Sequence, residues 1–225
     1  MLFIDRIDAG LRLAERLEDY RAREPVILGL VRGGVPVAFA VAITLDAPLD
    51  FIVVRKLGVP SQPELGMGAI SEDGVRIINE EVIRMTEVTP NHLASVEKLE
   101  RAALERRTLR FRRNRPRVPL AGRTVLVVDD GVATGSTARA ACRTARLRGA
   151  TQVVFAVPVA AANAIDALHQ DADTVICIET PQSFTSVGEW YENFTQTSDE
   201  EVIALLRRAN DRNKPNSALA VPPSW

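Results

Sequence analysis

The sequence predicts an α/β fold, a mostly parallel sheet flanked by helices, and three observations carry that expectation. Strand-like and helix-like stretches alternate through most of the 225 residues, the pattern of a sheet whose crossovers are helical. Two of the strand-like stretches, PVILGLV (25–31) and TVLVV (124–128), carry no charge and read as strands buried on both faces. Four strand ends run into polar residues, at Arg32, Arg55, Asp129 and Glu179, and open sheets of this kind bind ligands beyond the carboxyl ends of their strands.

In chain order, Asp8 is a candidate cap for a helix whose stripe is Leu11, Leu13, Ala14 and Leu17, closed by the charged run 18–24. Strand 25–31 follows, then a turn at 32–34 and a helix in RGGVPVAFAVAITL so apolar that it needs cover on nearly every side. Residues 49–54 read as the next strand, ending at Arg55 and Lys56. Residues 58–68 contain Gly and Pro with Ser61, Gln62 and Glu64, and read as a long mobile loop. Glu72-Asp73-Gly74 is a hairpin signal, and Asn79 is placed to cap the short helix EEVIRM. Residues 89–115 form a long helical pattern with Pro90 at its start. Its extension 97–117 holds nine basic and three acidic residues. After 124–128 come a helix over 136–147, a strand over 151–157 broken by Pro158, a helix over 160–168 and a strand over 174–178. The chain then turns aromatic and irregular, ETPQSFTSVGEWYENFTQT, before a last helix from Asp199 and a frayed polar end from Asn210.

The composition sets limits. With 28 basic against 29 acidic residues and 46% apolar residues, there is no global pull toward nucleic acid or membrane. Two cysteines, Cys142 and Cys177, make no disulfide framework and suit a reducing cytoplasm. No 18-residue apolar run occurs, and MLFIDRIDAG does not read as a secretory signal. His92 and His169 are isolated, without metal-ligand spacing.

The chemistry concentrates in residues 124–140, TVLVVDDGVATGSTARA. A buried strand delivers Asp129 and Asp130, Gly131 and Gly135 allow a sharp loop, and Thr134, Ser136 and Thr137 put hydroxyls at a helix N-terminus, where amides await an anion. Two carboxylates beside a phosphate cradle suit a ligand with a phosphate and either a metal ion or vicinal hydroxyls. No Lys follows Gly135 and no G-x-G-x-x-G run is present, against a nucleoside-triphosphate P-loop or a dinucleotide fold. The bland alternative is a turn whose polar residues only cap the helix.

This string resembles the 5-phosphoribosyl diphosphate (PRPP) signature of type I phosphoribosyltransferases, and the chain resembles a subgroup whose substrate is unsettled. The resemblance runs from about residue 11 to 206 and implies one domain over 1–210, with a flexible loop at about 55–68, an inserted helical segment at about 79–116, a small hood at about 180–197 and a flexible tail over 211–225. It implies a Mg2+-dependent transfer of 5-phosphoribosyl from PRPP to a nucleobase or similar heterocycle, in nucleotide salvage, by a homodimer in the cytoplasm. Asp129 and Asp130 would hold ribose hydroxyls or metal-bound water, and Gly131 with Ala133, Thr134, Gly135, Ser136 and Thr137 would cradle the 5-phosphate. VRGGVP (31–36) would hold the pyrophosphate through Arg32, Gly33 and Gly34, with a cis or strained peptide at Val31–Arg32 or Arg32–Gly33. Arg55 and Lys56 would reach it from the loop, while Glu64 reads as a solvated side chain. SFTSVGEWYENF would line the acceptor pocket through Phe184, Val187, Trp190 or Tyr191, with Phe194 a further candidate ring. A non-catalytic PRPP-sensing regulator binding nucleic acid through the basic 97–117 helix is the alternative, and hydrolysis or phosphorolysis in the same cleft is a third.

Overall fold

The computed structural model describes residues 2–113 and 115–212. Five parallel strands form the main sheet: β1 (Val26–Leu30), β2 (Leu49–Ile52), β6 (Thr124–Val128), β7 (Gln152–Val159) and β8 (Thr174–Glu179), in the spatial order β2-β1-β6-β7-β8. A second, antiparallel sheet comprises β3 (Val54–Val59), β4 (Gln62–Ser71) and β5 (Arg76–Ile78).

The period-two pleat sorts the apolar strand residues onto two faces. Ile27, Leu126, Val128, Val154 and Ala156 face a core shared with α1 (Arg6–Arg16), α2 (Gly34–Leu45) and α7 (Asp199–Arg212). Val26, Leu28, Val125, Val127, Val153 and Phe155 face the core under α5 (Ser136–Leu147) and α6 (Ala162–Leu168). Cover on both faces is what strands without charge require. From β1 the chain steps outward to β2, and from β6 it steps the other way to β7, so β1 and β6 flank the point where strand order reverses. A crevice opens at the carboxyl ends of such a pair.

Several expectations shift. Asp5, not Asp8, caps α1: its carboxylate accepts from the amides of Ile7 and Asp8 at 2.8 and 2.9 Å, while Asp8 lies inside the first turn and pairs with Arg12 at 2.8 Å. The run 49–54 divides between two sheets, because Val53 leaves the parallel sheet to bond Glu72 through both its amide and its carbonyl. Arg55 and Lys56 therefore lie within β3, not at an exit of the parallel sheet. Residues 58–68, expected as a loop, form most of the β3–β4 hairpin, whose register shifts at Leu57/Gly58 and Gly58/Val59. Pro158 does not end β7; pairing with β6 stops at Ala156, so the missing N–H falls beyond that ladder. α7 extends through residues 211 and 212, expected in the tail, and residues 213–225 lie outside the described residues.

The helical segment between the sheets consists of α3 (Glu80–Met85), capped by Asn79, and the 23-residue α4 (Pro90–Arg112), capped by Thr89. Only Leu104 and Phe111 of α4 are buried, so apolar packing alone does not seat it. Ion pairs do much of the rest. Arg112 meets the fully buried Asp50 at 2.7 and 3.0 Å, Glu100 takes Arg55 at 2.6 Å, and Glu97 takes Arg76 and Arg101. Just beyond the helix, Arg117 joins Arg148 on Glu72 and Asp73. Much of the basic character of 97–117 is thus answered by carboxylates of this chain, which leaves less of it for a polyanion than the sequence suggests. No helix among the described residues is long and apolar enough to cross a membrane.

Candidate active site

Two loops meet in the crevice. The β1–α2 loop carries Arg32, Gly33 and Gly34 after a cis peptide between Val31 and Arg32. The β6–α5 loop carries Asp129 to Gly135. Their fit explains both glycines: a Cβ at Gly33 would stand 2.0 Å from Asp130 Oδ2, and one at Gly34 would stand 2.6 Å from the Val128 carbonyl oxygen and 2.9 Å from Asp129 Oδ1. The pair is there because backbone lies directly on the two acids, a closer contact than the turn alone demands.

Asp129 Oδ1 accepts the Asp130 amide at 2.9 Å, which holds the two carboxylates side by side. Burial, then the neighbouring Asp130 carboxylate, pushes the Asp129 pKa well above the usual carboxylate range. Burial raises Asp130 too, against the opposing pull of Arg6. Arg6 comes from the first turn of α1: its Nε meets Asp130 Oδ2 at 2.7 Å, its Nη1 donates to the Thr195 carbonyl at 2.8 Å, and its guanidinium lies 3.9 Å over the Phe194 ring. A cleft of about 440 Å³ opens here, lined by Arg6, Arg32, Gly33, Asp130, Phe194 and Thr197 among others. A larger one, about 510 Å³, lies between the end of α4 and α7 and includes none of the motif residues.

Beyond the acids the loop is pinned at Val132, whose amide donates to Val159 at 3.0 Å and whose carbonyl accepts from Ala161 at 2.9 Å. Ala133 and Thr134 are exposed at its tip. Gly135, at φ +81°, turns the chain into α5, and a Cβ there would meet Ala164 no closer than 3.5 Å, so the backbone and not crowding requires glycine. Ser136 and Thr137 follow in the first turn of α5, near its free amides.

The aromatic segment forms the hood. A 3-10 turn spans Val187–Trp190, and a Cβ on Gly131 would stand 2.3 Å from Val187 Cγ1, so Val187 closes directly on the acid loop. Tyr191 is buried between neighbours: it pairs with Phe3 in an isolated bridge, its ring meets Phe3 and Phe194 at 5.4 and 5.0 Å, and its hydroxyl donates to the Asp130 carbonyl at 2.5 Å. Burial, chiefly, and the Asp130 charge raise its phenol pKa, so it stays a donor. Phe184 and Trp190 are only partly covered. Lys56 is tied to the Glu64 carbonyl within the hairpin, and Arg55 is held by Glu100. Cys142 is buried in α5 with its thiol pKa pushed up by burial.

Arg6 was invisible to sequence reading. It lies 124 positions from Asp130, in an ordinary helical first turn, and no local signal marks it. The two adjacent carboxylates, one oxygen of which is already committed to Arg6, are oxygen donors of the kind a magnesium ion takes; no group of three or more His, Cys, Asp or Glu among the described residues is placed to hold a metal.

A family model for the phosphoribosyl transferase domain matches residues 6–198. The curated "Putative phosphoribosyl transferase Rv0571c" of Mycobacterium tuberculosis is 54% identical over 209 residues, covering 93% of this chain and 47% of the relative. The chain thus spans about half the length of the curated relatives it matches. The crystal structure of TT1426 from Thermus thermophilus superposes with a TM-score of 0.78 at 40% identity, covering 92% of this chain and 99% of that one. A hypothetical protein from Neisseria gonorrhoeae with bound ppGpp superposes with a TM-score of 0.50 at 12% identity, over 92% and 96% of the two chains, a likeness of fold alone.

Proposed function

The chain belongs to the phosphoribosyl transferase domain family, and from that premise we propose that it transfers 5-phosphoribosyl from PRPP to a ring nitrogen of a small heterocycle, with release of pyrophosphate. The observation that carries this reading is the seating of Gly33 and Gly34 directly on the half-buried Asp129–Asp130 pair, beside the exposed tip at Ala133 and Thr134.

The reaction needs no protein nucleophile. The bond from ribose C1 to the pyrophosphate oxygen breaks with its electron pair leaving on pyrophosphate, while the acceptor nitrogen's lone pair forms the new C1–N bond and that nitrogen loses its proton. In this reading Asp129 and Asp130 orient the ribose hydroxyls and disperse the positive charge developing at C1. The 131–137 loop anchors the 5-phosphate, and Arg32 stabilises the leaving pyrophosphate. Magnesium, when bound, neutralises charge on the pyrophosphate oxygens. Arg6 keeps Asp130 oriented, and the hood around Phe184, Val187 and Trp190 excludes water and offers a face to the acceptor.

A product scan tests the reading: PRPP, magnesium and a pool of purine, pyrimidine and related bases, with pyrophosphate and nucleotide both measured. Equimolar release of the two with one acceptor supports it. PRPP bound without turnover of any base would favour a sensor, and pyrophosphate released alongside free ribose 5-phosphate would favour hydrolysis.

A further inference from the structure

The guanidiniums of Arg32 and Arg107 make only long ion pairs. The side chains of Arg32, in the β1–α2 loop, and Arg107, on α4, are 25% and 28% exposed, yet neither donates a hydrogen bond among the described residues. Both approach one carboxylate oxygen: Asp199 Oδ1 lies 3.6 Å from Arg32 and 4.0 Å from Arg107, beyond hydrogen-bond range. That oxygen is itself buried without a hydrogen-bond partner. Asp199 Oδ2 takes Arg110 at 2.9 Å. Burial lowers the Arg107 pKa, and the charges of Arg32, Arg55 and Arg110 add to that against the pull of Asp199.

A buried acceptor left unmet costs stability, and of the three guanidiniums near Asp199 only Arg110 meets its carboxylate closely. Phosphoryl oxygens can meet all three, since each guanidinium offers a two-pronged face to them. Of the three, Arg32 lines the crevice beside Asp130, so on the transferase reading the group the cluster suits is a diphosphate. We infer that Arg107 is a diphosphate-binding residue of this site and that Asp199 is an internal carboxylate standing among the arginines until a diphosphate displaces it. This rests on the transferase reading for the identity of the diphosphate as the leaving group of PRPP. It also gives α4 a function: the inserted helix is one wall of the pyrophosphate subsite, and its arginines are ligands as well as surface charges.

The test is calorimetric titration of the whole chain, wild type and the variants Arg107→Gln, Arg107→Lys and Asp199→Asn, with inorganic pyrophosphate and separately with ribose 5-phosphate. Arg107→Gln is expected to weaken pyrophosphate binding about tenfold and leave ribose 5-phosphate within about twofold, as loss of a charge-assisted fork predicts. Arg107→Lys is expected to recover part of the loss, and Asp199→Asn to tighten pyrophosphate binding severalfold by removing the competing charge. Pyrophosphate affinity unchanged in Arg107→Gln, or both ligands weakened alike, overturns the assignment, and weaker pyrophosphate binding in Asp199→Asn overturns the role of that carboxylate. If the wild type binds pyrophosphate through Arg107 but takes no PRPP, the subsite stands and the transferase reading falls. If Arg107→Gln turns over PRPP with unaltered pyrophosphate affinity, the transferase reading stands and the subsite falls.

Discussion

Arg6 and Arg32 both reach toward a carboxylate at the mouth of one crevice, and they are finished differently. Arg6 meets Asp130 at 2.7 Å, bonds the Thr195 carbonyl, lies over the Phe194 ring, and the side chains of the pair are only 11% and 14% exposed. Arg32 stops 3.6 Å from Asp199, and its guanidinium makes no hydrogen bond among the described residues. The same ion types therefore serve two ends. The Arg6–Asp130 contact braces the acid pair, whereas on our proposal the Arg32–Asp199 side leaves cationic donors for an incoming anion. A satisfied pair resists displacement because breaking it strands a charge, and an unsatisfied one gains when a better-matched ligand arrives.

Five changes break or sharpen that contrast. The largest effect is expected from Asp129→Asn with Asp130→Asn, which abolishes magnesium-dependent PRPP binding in calorimetry while circular dichroism reports an intact fold; undiminished binding would move the site. Next, Arg6→Gln strips Asp130 of its counter-charge and is expected to cost about 3 kcal/mol of stability at neutral pH, measured by denaturant melts. The sign of its pH dependence follows from the raised pKa values. The folded carboxyls keep their protons where the unfolded chain has lost them, so stability falls as pH rises through the window above the ordinary carboxylate range, and Arg6→Gln widens that window. On the transferase reading PRPP binding uses the ionised pair, so it is expected to strengthen over the same rise, with its midpoint moved upward in Arg6→Gln. A variant whose melts and binding track the wild type at every pH would show that Arg6 is no brace.

Gly33→Ala is expected to cost about 2 kcal/mol and to weaken PRPP binding, because the added methyl meets Asp130 Oδ2 at 2.0 Å. An unchanged melting temperature and affinity would mean the two loops part easily. The smallest effect belongs to Trp190→Leu, which removes a partly covered ring from the hood. Acceptor KM is expected to rise severalfold with PRPP affinity unchanged, roughly the worth of one stacking face, and no change in either would make the ring a packing residue. Tyr191, bound to the Asp130 carbonyl and packed between Phe3 and Phe194, is expected instead to behave with the brace when replaced by Leu, losing stability and PRPP binding together.

What the sequence disclosed follows from how local each signal is. β1 and β6 were legible because two-sided burial leaves an unbroken apolar run, and the acid loop because its glycines, hydroxyls and carboxylates are contiguous. The β3–β4 hairpin was not, since Gly58, Pro63 and Gly66 imitate a loop and only pairing across the hairpin makes them strand, with Pro60 in the turn between. Arg6 and Asp199 gave no signal because each is ordinary in its own helix and acquires meaning from a partner far along the chain. The basic run of α4 was plain to see, but the carboxylates that answer it, Asp50, Glu72 and Asp199, are scattered over other elements.

The central claim is that phosphoribosyl transfer takes place on the Asp129–Asp130 pair. Its most direct test is nucleotide and pyrophosphate formation from PRPP, magnesium and a base pool, compared between the wild type and the folded Asp129→Asn, Asp130→Asn double variant. The account predicts equimolar products with at least one base from the wild type and none from the double variant. Equal turnover by both proteins, or nucleotide from neither with any base, would contradict it.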